Sequence, residues 1–129
     1  MELSFLRPWA PHILSLLRIL SAATFLTHGT MKLLSWPAPF PYPLNGLTTT
    51  AGVLEIVGGV LLVLGLFSRP VAFILSGLMA FAYFLGHAGQ GFFPVLNGGE
   101  AALLFCWVFL FIAAYGPGPI SLDAKLGRT

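Results

Sequence analysis

Charge is what this sequence has least of. Six Lys or Arg and four Asp or Glu among 129 residues leave too little polar surface to coat a water-soluble globule. The 57% hydrophobic content and a mean hydropathy of +0.93 place the chain among integral membrane proteins. The bases are scattered rather than clustered, so the net charge of +2 gives no footprint for nucleic acid. Cysteine is nearly absent too. A single thiol, Cys106, excludes an internal disulfide, a Cys-x-x-Cys redox pair and a thiolate metal cage within one chain. Internal repeats, low-complexity segments, a phosphate loop, a dinucleotide fingerprint and a hydrolase triad are all lacking, and the sequence assigns no catalytic residue.

Long apolar runs are present instead. An all-α, single-domain reading of residues 1–129 places membrane spans at about 13–34, 47–67, 71–87 and 98–115, a four-helix bundle in a lipid bilayer. Residues 1–12, with Arg7, Trp9 and two prolines, read as an interfacial lead-in. The first apolar run is expected to stay as a helix rather than be cleaved as a leader, because Arg18 interrupts it and no Ala-x-Ala site closes it. Residues 35–46 hold four prolines and three aromatics, which cannot continue a helix and suit a rigid extended loop at the interface. Ser68-Arg69-Pro70 is a tight turn, Ala88 to Asn97 a second Gly- and Pro-containing loop, and Gly116-Pro117-Gly118-Pro119 a helix terminator before a short polar tail. Arg7, Arg18, Arg69, Lys125 and Arg128 then share the side of both termini and Lys32 alone takes the other. The positive-inside rule predicts termini in the cytoplasm and an inner-membrane location.

Glu55 stands in the middle of the second span, where an ionisable group is expensive and calls for a partner. Gly52, Glu55 and Gly59 share a side of that helix on which another helix can approach closely. In the predicted topology Lys32, His28, Glu55, His87 and Glu100 come from four helices and lie in the outer half. Asn45, Gln90 and Asn97 would form the rim of the pocket they make. Three roles remain open for this cluster: an ion-pair network that braces the helices, with Lys32 held by Glu55 or Glu100; a site for a quinone-like ligand or for protons; or a docking site for a partner subunit. A metal is not expected, since His28, His87, Glu55 and Glu100 have no ligand spacing and Lys32 would repel a cation. Arg18 is expected to snorkel to headgroups, His12 to sit at the interface, and Cys106 to pack as a small apolar group. The small bundle also leaves room for a homo-oligomer, through the faces of Gly58, Gly65 or Gly77.

His28-Gly29-x-x-Lys32, Gly52-x-x-Glu55-Ile56-x-Gly58-Gly59, Gly65-Leu66-Phe67-Ser68-Arg69, Asn97-Gly98-Gly99-Glu100 and Gly116-Pro117-Gly118-x-x-Ser121-Leu122-Asp123-Ala124 together resemble the DoxX family over nearly the whole chain. The resemblance implies a small four-helix membrane protein and singles out His28, Lys32, Glu55 and Glu100. It also implies an accessory subunit of a membrane redox or quinone-linked system. With no redox centre in the chain, electrons would need a bound quinone or redox partner proteins. A structural or assembly protein and a small proton or solute transporter are the alternatives.

Overall fold

A computed structural model describes residues 2–128. Among these residues every regular element is helical: a 3₁₀ segment at Ser4–Trp9, then α1 (Ala10–Leu34), α2 (Gly46–Leu64), α3 (Ser68–Gly86), a 3₁₀ turn at Ala88–Gln90, α4 (Pro94–Asn97), α5 (Glu100–Tyr115) and α6 (Leu122–Lys125). The apolar runs at Ser4–Leu34, Gly46–Leu64 and Ser68–Gln90 are each long and hydrophobic enough to cross a membrane. The fourth is not as expected. α5 has 16 residues, about 24 Å at 1.5 Å per residue, against a hydrocarbon core of about 30 Å.

Local chemistry sets these boundaries. Pro8 lies near the end of the short 3₁₀ segment, and Pro11 falls in the first turn of α1, where the missing N–H has no intrahelical acceptor to lose. α2 opens on a reciprocal cap: Thr48 N–H donates to the Asn45 side chain at 2.9 Å, and Asn45 N–H donates to Thr48 Oγ1 at 2.8 Å. It closes at Gly65, whose φ of +70° is readily available only without a Cβ. α3 begins at Ser68 rather than Val71, since Pro70 is tolerated in a first turn.

α1 packs along α2 and α3 along α5, and the two pairs share one core. Phe25, Leu62, Ala72, Leu75, Phe109 and Ile112 are almost fully buried in it. Phe25 lies edge-on to Phe105 and Phe109 at 5.6 and 5.1 Å between ring centres, a favoured arrangement. Glycine lets the pairs close up: a Cβ on Gly58 would lie 2.8 Å from Leu75, and one on Gly59 would lie 3.0 Å from Leu26. The outer surface is as apolar as the core, with Val57, Phe73, Phe84 and Trp107 all more than half exposed. Phe73, Gly77 and Phe84 share the outward face of α3. Such a surface needs lipid rather than water around it.

Candidate functional site

α1 and α2 approach closely where they cross at Gly29 and Gly52. A Cβ on Gly29 would meet the Gly52 carbonyl oxygen at 2.8 Å and the Glu55 Cβ at 2.9 Å, and one on Gly52 would meet the Lys32 Cβ at 3.3 Å. A Cβ at position 29 would force α1 away from the α2 backbone, whereas one at position 52 would need the Leu33 and Lys32 side chains to give by a few tenths of an ångström. That approach brings Lys32 Nζ to 2.6 Å from Glu55 Oε1. The Glu55 side chain is 2% exposed and that of Lys32 15%. The carboxylate lies nine residues into α2 and the lysine near the end of α1, so the long Lys side chain carries the ammonium inwards. Phe40, from the proline-rich loop, lies over the ammonium with 5.2 Å from Nζ to ring centre, a cation–π distance. His28 stands one helical turn before Lys32. It is exposed at the surface of the helix pair and lies edge-on to Phe105 at 6.0 Å. The ion pair thus has one aromatic ring over its ammonium, and the His28–Phe105 contact lies one helical turn away along α1.

The other expected members lie elsewhere. His87 Nδ1 donates to the Asn97 carbonyl at 3.1 Å. Asn97, 2% exposed, donates from Nδ2 to Tyr83 Oη at 3.1 Å and to the Gly91 carbonyl at 3.0 Å, while its Oδ1 accepts from Gly99 N–H at 2.8 Å. These two residues fasten the loop between α3 and α5. Gln90 donates to the Gly86 carbonyl at 3.1 Å, and Asn45 is occupied as the cap of α2. Glu100 is exposed as the first residue of α5, and the acid that Lys32 pairs with is Glu55. No group of three or more His, Cys, Asp or Glu able to hold a metal occurs among the described residues.

A second polar centre lies at the opposite end, and most of it escaped the sequence reading. Arg18 does not snorkel to headgroups but is fully buried. Its Nε donates to the Leu62 carbonyl at 2.8 Å, Nη2 to the Ile120 carbonyl at 2.6 Å and Nη1 to the Pro117 carbonyl. The guanidinium fork matches these acceptors because the Gly116–Pro119 turn folds back over α1. Ser15 Oγ joins them, donating to Pro117 O at 3.3 Å and accepting from Ile120 N–H at 3.1 Å. Asp123, in the tail expected to be merely polar, accepts from the N–H groups of Phe67 at 2.9 Å and Ser68 at 2.8 Å. It thereby caps α3, whose own N-cap, Phe67, makes no side-chain cap bond. Burial would raise the Asp123 carboxyl, but the hydrogen bonds from Ser68 and Phe67 and the charge of Arg128 outweigh it and hold it below the usual carboxylate range. Arg69 donates to the Ala113, Ala114 and Tyr115 carbonyls that end α5. The signal was present in the paired Gly65–Arg69 and Gly116–Ala124 motifs, but not the fact that they touch.

Apolar helices of membrane-crossing length, joined by glycine contacts and enclosing an ion pair, define a small helical membrane protein. The chain belongs to the DoxX family, whose model matches residues 13–88. A protein of Haemophilus influenzae described as uncharacterized is 48% identical over 128 residues, covering 93% of this chain and 95% of that one. The inner membrane protein YphA of Escherichia coli K12 is 28% identical over 127 residues, covering 89% and 91%. No solved structure matches the chain. The family match contains the Lys32–Glu55 crossing, whereas α5 and the tail that binds Arg18 lie beyond it.

Proposed function

We propose that this DoxX protein is a four-crossing inner-membrane protein with both termini in the cytoplasm, serving as an accessory subunit of a quinone-linked redox system. Its ligand site would be the Lys32–Glu55 crossing with His28. The observation that carries this reading is the ion pair itself, 2.6 Å long and enclosed between two apolar helices. The donor set suits a quinone. An ammonium has three N–H groups, of which Glu55 needs one, and a neutral imidazole adds another donor, so carbonyl oxygens of a ring could be met from Lys32 and His28. Phe40 supplies a ring surface beside Lys32, and Phe105 supplies one beside His28. A bound quinone would supply the electron chemistry, while this chain would bind and orient the ring and hold a proton at Glu55 or His28. Orientation is supported by the gathering of Arg18, Arg69, Lys125 and Arg128 at the end where α1 begins and α5 finishes.

The second reading, a brace, is favoured by a different observation: the Gly29–Gly52 approach leaves the pair tightly closed, as a purely structural contact would be. Titration of purified protein with a short-chain ubiquinone analogue, followed by tryptophan quenching, separates the two. Saturable quenching that is lost in folded Glu55→Gln and Lys32→Met supports the ligand site. Unchanged quenching in those folded variants sinks it, and loss of folding in both favours the brace. Proton or solute flux in proteoliposomes would instead identify a transporter. A cysteine placed in residues 35–46 should be labelled from outside intact cells; protection there refutes the orientation.

A further inference from the structure

The segment between α3 and α5 has a composition unlike a water-exposed loop. Phe92, Phe93, Val95 and Leu96 are 87%, 60%, 68% and 78% exposed, and no Asp, Glu, Lys or Arg occurs from residue 88 to 99. Its buried polar side chain, Asn97, is bonded within the protein. Asn97 takes Tyr83, Gly91 and Gly99, His87 takes the Asn97 carbonyl, and Leu96 and Asn97 N–H both donate to the Phe93 carbonyl at 2.9 Å. Non-helical backbone is tolerated at membrane depth only where its hydrogen bonds are supplied from within the protein. α5, moreover, falls about 6 Å short of a 30 Å core, and Gly116 stops it at the other end. The missing length must then come from the Glu100 end.

We infer that residues 91–97 form a re-entrant cap whose Phe92, Phe93, Val95 and Leu96 side chains sit among the acyl chains of the outer leaflet and complete the fourth crossing. This rests on the four-crossing reading above. The occupant is lipid because the patch is continuous with the lipid-facing surface of α3 and α5, where Phe84, Leu85 and Leu104 are 71%, 63% and 62% exposed. Glu100 follows the cap as the exposed first residue of α5, where free N–H groups lower the cost of a carboxylate.

Nitroxide labels on single cysteines test this in liposome-reconstituted protein carrying Cys106→Ala. Labels at Phe92→Cys, Val95→Cys and Leu96→Cys should collide more with oxygen than with a water-soluble nickel chelate, as should one at Leu104→Cys on α5. If the three cap positions show the reverse preference while Leu104 remains oxygen-accessible, the cap inference is overturned and the crossing stands. If Leu104 also favours the nickel chelate, the fourth crossing and the cap fail together.

Discussion

Lys32→Met removes the only ion-pair partner described for an acid that is 2% exposed, and the consequence can be sized from the geometry. At 2.6 Å and an effective dielectric of about 20, the attraction is on the order of 6 kcal/mol, most of it offset by the cost of desolvating both groups. Breaking such a pair leaves one buried charge without compensation and costs about 3–5 kcal/mol. The 15% exposure of Lys32 argues for the lower part of that range. Replacing both partners behaves differently: Lys32→Met with Glu55→Leu removes the charges together and should recover most of the loss. Unfolding of purified protein in mixed micelles, followed by the fluorescence of its three tryptophans, gives the double-mutant cycle directly. A Lys32→Met variant within about 1 kcal/mol of wild type, or a double variant no more stable than the worse single one, would refute the buried-pair reasoning.

Arg18→Met should destabilise by about 3–5 kcal/mol, because three carbonyls lose a charged donor in a buried site; a proteolytic assay of the C-terminal tail should show it released at the same time. Asp123→Ala should cost about 1 kcal/mol by uncapping α3, read as a lower melting temperature. Since the folded Asp123 carboxyl is held below its unfolded value of about 3.9, its contribution is complete above that pH and is lost as pH falls through the lower folded value. The melting-temperature gap between wild type and Asp123→Ala should therefore shrink only in strong acid; a gap independent of pH there contradicts the assignment. Gly29→Ala should cost about 1–3 kcal/mol by pushing α1 from α2, and a folded variant with an unchanged melting temperature would show that the crossing can relax.

Hydrophobic run length and breaker residues made the helices legible before any coordinates, because a chain this apolar has few ways to satisfy its backbone other than in helices. Glycine spacing likewise marked the face of α2 that α1 meets, and the need of Glu55 for a partner pointed to Lys32. What depth alone could not reveal was which side chains at one level face each other. His87 and Asn97 share a level with Lys32 in the predicted topology, yet they turn to the α3–α5 loop, while Glu100 stays exposed. Helix rotation decides such neighbours, and rotation follows from packing across the whole interface.

The sequence by itself determined a helical membrane protein with few charges, most of them outside the apolar spans, since lipid tolerates little else. Only the tertiary structure decided the fate of Arg18 and Asp123. Their partners are backbone carbonyls and N–H groups, which nearly every residue carries and no motif advertises. The tail had to fold back over α1 and α3 before either residue had anything to bind.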